Sequence, residues 1–267
     1  MNHLPENFLE HALSIDDTFQ FHCNQCGECC KHREDILISP FDLFRLTRYL
    51  NMKPTEFVDR YCTTYIGQNS RLPVVIFKAV GEEQVCPMLQ DNHCSVHAAK
   101  PTICALYPLG RAVRVEPDGK PEVFYFLNGS TCGAEDETHT VREWLSEFDL
   151  RDSTAWFLAW QKAISKLSPS LKTMEKLLPP KELSMLYAIV FKALYLDYAD
   201  VREFLPKFVL NVQSLQKQID TLIDKLMPGG NANEQFVGSD GRCYRPACTG
   251  HCGRAGRISV HRHGWIG

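Results

Sequence analysis

Hydrophobic positions change rhythm along the chain. From residue 153 onward Trp156, Phe157, Trp160, Ala163, Ile164 and Leu167 fall on one helical face, with Asp152 or Ser153 placed to cap it. Pro179-Pro180 breaks the run. A third helix then carries Leu183, Leu186, Tyr187, Val190 and Leu194, after a shorter one near 141–150. The last helix is expected from about Asp200 to Leu226. Glu203 is placed there for a capping box, and Pro206 should kink the helix or sit near its start. Its three-four spacing from Val201 through Phe208 and Leu215 to Leu226 predicts one buried stripe.

Upstream the elements are shorter. Ser39-Pro40 opens a helix carrying Phe41, Phe44, Leu46 and Leu50, because serine caps free N–H groups and proline loses nothing at the first position. A second helix from about Thr55 is expected to carry Phe57, Val58, Tyr61, Cys62 and Tyr65. The β-branched run 72–80 predicts a strand. Residues 111–115 and 122–127 predict a hairpin turning through Pro117-Asp118-Gly119, and Pro101 and Pro108 bracket a short helix at 102–106. The fold class expected is α+β: a small metal-stapled cysteine-cluster domain with short helices and a β-hairpin, followed by a helical region.

Composition divides the chain in the same way. Residues 1–135 hold nine of twelve cysteines, 136–227 hold none, and 228–267 hold three. The middle part is expected to pack on the first. The last part has no lysine, five arginines and nine of sixteen glycines, so it reads as a flexible tail. Its Cys243, Cys248 and Cys252, with His251, His261 and His263, do not follow a standard zinc spacing. Net charge is −3, which gives no field favouring nucleic acid or an anionic membrane. The acidic start, with Glu6, Glu10, Asp16 and Asp17, is no signal peptide. The longest apolar stretch, 185–196, is interrupted by Lys192 and too short to span a bilayer. A cytoplasmic location is expected.

In a reducing compartment clustered cysteines read as metal ligands or redox thiols rather than disulfides. Cys23, Cys26, Cys29 and Cys30 are the strongest signal: two-residue spacers let thiolates turn to one centre, and Gly27 permits a tight backbone. Cys86, Cys94, Cys104 and Cys132 lie far apart and can join only through the fold. Eight thiols suit two four-ligand sites, or one site with extra thiols, filled by a thiophilic iron–sulfur cluster or zinc. A [4Fe–4S] cluster is favoured, on Cys23, Cys26 and Cys29 with Cys86 as fourth ligand. Cys62 reads as a small buried residue, and His22, His32, His93 and His97 as ordinary polar side chains rather than ligands. Lys31, His32 and Arg33 read either as offsetting thiolate charge or as an ordinary solvated run.

These motifs together resemble the YkgJ-type cysteine-cluster family, the CxxCxxCC zinc- or iron-chelating domain. The resemblance rests on Cys23-x-x-Cys26-x-x-Cys29-Cys30, Cys86-Pro87 with Leu89, Cys94, and Pro101-x-x-Cys104 with Tyr107-Pro108. It covers about residues 19–133. Lys100 and His97 depart from it, standing where arginine and an aromatic residue are expected. The resemblance implies metal chelation, with a role in redox chemistry or metal handling. Flagellin lysine methylases look similar at the cysteine motif, so a protein-modifying enzyme is a second expectation, and a zinc-stapled interaction module a third. No glycine-rich nucleotide loop or assured triad is present. The partner expected is the metal ion or cluster.

Overall fold

The computed structural model describes residues 11–33, 35–116, 118–129, 132–198 and 200–227, with the backbone alone of Ile258–His261. The cysteines and remaining histidines of 228–267 lie outside these residues. Among the described residues the chain is mixed. Seven helices alternate early with small antiparallel sheets and then form a helical C-terminal region. No described helix is long and apolar enough to cross a membrane.

The early elements are local. Helix α1 (Pro40–Tyr49) starts as its sequence dictates: Ser39 Oγ accepts from the Asp42 amide, the Asp42 carboxylate accepts from the Ser39 amide, and Pro40 is the first residue. Helix α2 (Pro54–Tyr61) ends sooner than expected. Cys62 and Tyr65 belong instead to β2 (Cys62–Ile66), which pairs with β3 (Pro73–Phe77). The run Cys-Thr-Thr-Tyr-Ile is rich in strand formers, and its ladder to β3 outweighs the helical periodicity. A two-residue pair, β4 (Leu89–Gln90) and β5 (His93–Cys94), leads to α3 (Thr102–Leu106). Strand β6 (Leu109–Val115) lies between β7 (Pro121–Leu127) and β9 (Ile258–His261).

One sheet was not expected. Strand β1 (Thr18–His22) pairs antiparallel with β8 (Ala134–Thr140), joining residues more than a hundred positions apart. Helix α4 (Val141–Glu147) follows directly on a Thr140–Glu143 capping box. Its Trp144 meets Phe19 and Phe21 edge-on at 5.7 Å.

The long helices are α5 (Ser153–Leu177, with Pro169 inside it), α6 (Pro180–Phe191, running on as a π-helical turn, Lys192–Leu196) and α7 (Phe204–Leu226). Glu203 is the N-cap of α7 but makes no side-chain cap bond, so the expected capping box is absent. Pro206 sits in the first turn, where its missing N–H costs nothing. Their core is continuous with that of the cysteine-bearing part: Phe41 of α1 stacks on Trp156 at 5.0 Å and meets Phe204 at 5.5 Å.

Candidate metal centre

The first motif is shaped by its backbone. Gly27 takes φ 77°, and a Cβ there would lie 2.9 Å from the Asn92 carbonyl oxygen. Glycine therefore allows the loop to lie against the β4–β5 turn before a short 3-10 turn, Glu28–Cys30. The Cys86 amide donates to the Cys30 carbonyl at 2.8 Å, and the amides of His32 and Arg33 donate to Glu83 and Gln84. These bonds hold the second cysteine group beside the first. Cys94 stands opposite Leu89 across β4–β5, and Cys104 enters on α3.

The result is an inner group of five thiols. Cys30, 8% exposed, interacts with both Cys29 and Cys86, and feels the charges of Cys86 and Cys94. Cys104 lies within electrostatic reach of Cys29 and Cys30. An outer pair stands at the edge. Cys132 interacts with Cys26 and donates to the Tyr107 hydroxyl at 3.8 Å. Gly133, at φ 91°, lets the next residue pass over Phe21, where a Cβ would sit 2.4 Å from the ring. Cys23 is exposed; Cys62 is buried in the hydrophobic core that also takes in Cys30 and Cys86.

Clustering and burial make these thiols hard to ionise. Cys29 is pushed far up by its bond to Cys30 and by burial. At Cys30 the Cys29 bond favours the thiolate, but Cys86 and burial outweigh it and raise the pKa to about 12. Burial raises Cys94 and Cys104. Such a group lacks positive charge, and a bound metal cation supplies it, deprotonating the thiols as it binds. Two cations already flank the cluster. Burial opposes the charge on Arg33, yet Asp35 and the thiols of Cys104 and Cys29 hold its pKa above the ordinary value. Lys100, 8% exposed, acts on Cys29, Cys94 and Cys104 and sits 3.9 Å from the Phe148 ring centroid.

The sulfur donors suit a thiophilic centre. Among the described residues no group of three or more Cys, His, Asp or Glu side chains stands arranged to hold a metal ion. The histidines are engaged elsewhere. His22 pairs with Glu137 at 2.8 Å, His93 Nδ1 contacts the Asp91 carbonyl, His97 packs edge-on to Phe148, and His32 is exposed.

Residues 22–133 match the family model CxxCxxCC, described as a "putative zinc- or iron-chelating domain". The match covers this segment alone, less than half of the chain. No curated protein and no solved structure matches the chain. Every cysteine of the inner and outer groups lies inside the CxxCxxCC domain, which is of a metal-chelating kind. Sequence reasoning missed two of its contributors. Tyr107 was noted only as part of a motif, and Lys100 only as a departure from the expected arginine. The adjacent Pro101, whose carbonyl opens α3, was the signal that Lys100 is held beside Cys104.

Proposed function

We propose that the CxxCxxCC domain holds a thiolate-ligated iron–sulfur cluster, favoured as [4Fe–4S], that serves redox chemistry or metal handling in the cytoplasm. The ligands come from Cys23, Cys26, Cys29, Cys30, Cys86, Cys94, Cys104 and Cys132. Two observations support this reading: the family match over residues 22–133, and the Cys86 amide–Cys30 carbonyl bond that ties the second cysteine group to the first. Five thiols, with Cys26 and Cys132 beside them, exceed the four that one tetrahedral zinc uses, and a polynuclear cluster makes better use of the pool. The backbone bond between Cys86 and Cys30 brings Cys86, the fourth-ligand candidate, beside the motif of Cys23, Cys26 and Cys29. Arg33 and Lys100 offset the negative charge of a thiolate-bound centre. Cys26 is exposed, so the centre has one edge at solvent through which electrons or metal can pass.

Anaerobic purification with metal and sulfide analysis tests this reading. Brown protein with iron and sulfide in near-equal amounts is expected. Colourless protein with stoichiometric zinc and no sulfide, from iron-replete cells, defeats the cluster and turns the domain into a zinc-stapled module.

A further inference from the structure

A pocket of about 100 Å³ lies beneath β6, between the start of α1, the start of α3 and the first turns of α5. Its walls come from both the CxxCxxCC domain and the helical region. Leu72, Leu106 and Phe157 make it mostly apolar. It is far roomier than one water requires (roughly 10–15 Å³) and somewhat smaller than a cavity that takes benzene (about 150 Å³).

Arg111 of β6 lines this pocket and is 4% exposed. Its guanidinium donates to Ser153 Oγ at 3.1 Å, interacts with the Tyr125 hydroxyl, and lies 4.1 Å from the Phe157 ring centroid. Arg111 Nε has no partner, and among the described residues the side chain forms no ion pair within 4.0 Å. A second lining residue, Trp156, is 6% exposed and also has an unpartnered buried N–H. Burying a charge without a paired ion is costly, and each unmade hydrogen bond adds to the cost. Burial accordingly depresses the Arg111 pKa, against the favourable influence of Tyr125 and Asp42.

Asp42 also lines the pocket but is committed elsewhere. Its two oxygens accept from the amides and hydroxyls of Ser39 and Thr102, at 2.6–3.1 Å. Its carboxylate faces the same pocket, which disfavours a guest with a second carboxylate.

We propose that this pocket binds a small monocarboxylate, its carboxylate on Arg111 and the Trp156 N–H, its short alkyl chain against the apolar wall. The guanidinium fork matches a carboxylate in shape and charge. The volume limits the chain to a few carbons, and Asp42 selects against dicarboxylates. This assignment does not depend on which metal the thiols hold.

Calorimetric titration of the full-length chain with acetate, butyrate and valerate tests it, with succinate and uncharged butyramide as comparisons. Saturable binding of butyrate is expected, with succinate and butyramide weaker by about tenfold or more, the worth of a charge-assisted bond. Arg111→Gln should abolish that preference while leaving the far-UV spectrum and metal content unchanged. Trp156→Phe, which keeps an aromatic wall and removes one donor, should weaken butyrate by a smaller factor. The proposal is overturned if no acid in the series saturates, if butyramide binds as well as butyrate, or if folded Arg111→Gln binds unchanged. Should Arg111→Gln fail to fold, the contrast between butyrate and butyramide on the unmodified protein decides alone.

Discussion

Along α5 and α7 the buried side chains follow the helical repeat: Trp160, Leu167, Leu171 and Met174 on one, Phe208, Val212, Leu215 and Ile219 on the other. In the cysteine-bearing part the buried groups around Cys30 follow no period. They are brought together by single backbone bonds between loops, such as Cys86 to Cys30. The first arrangement draws its stability from apolar area and tolerates local change. The second spends its interior on thiols that repel one another once ionised, so it needs something at its centre.

Metal removal should separate the two most sharply. Chelation, or Cys30→Ser, is expected to bring metal per chain to background. Hydrogen exchange should then quicken in 23–33 and 86–104 while α5 and α7 stay protected, since a structural metal can contribute about 10 kcal/mol or more to a site. Equal loss of protection in both regions would erase the distinction. Leu167→Ala is the converse experiment. Leu167 is fully buried on α5, so denaturant unfolding should show a loss of about 2–5 kcal/mol, with metal per folded chain unchanged.

A smaller effect is expected from Gly27→Ala. The left-handed backbone and the nearby Asn92 carbonyl cost about 1–3 kcal/mol, and metal occupancy should fall with stability, measurable by elemental analysis. The smallest is Cys62→Ala: about 1 kcal/mol at neutral pH, with metal retained. Its pH dependence carries a sign. Burial raises the Cys62 pKa from 9.0 to about 12, so between those values the folded state keeps a proton that the unfolded state releases. Stability therefore falls as pH rises through that window, and Cys62→Ala should make the fall shallower in alkaline melts.

Much of this was legible from residue patterns. The Ser39-Pro40 start, the β6–β7 hairpin, α3 between its prolines and the stripe of α5 are decided by neighbours in sequence, and they stand where those neighbours put them. What escaped depends on distant partners. Strand β8 reads Ala-Glu-Asp-Glu-Thr-His-Thr, with no alternation to announce it, and forms because β1 lies alongside. Cys62 fitted a helical repeat, yet its strand is set by the ladder to β3. At the site, the eight cysteines could be named from spacing and family resemblance. That Cys30 and Cys86 are tied together follows from a loop-to-loop hydrogen bond that no spacing encodes.

The stacking of Phe41 between α5 and α7 has a practical corollary. The matched segment shares its core with the helices that follow it. A fragment ending at residue 133 would strip Phe41 and Leu43 of their cover, remove all of β8 from β1, and take Trp144 off Phe19 and Phe21. Anyone trimming the protein to its chelating portion would be handling an adhesive surface, and the shortest useful piece must run through the last long helix.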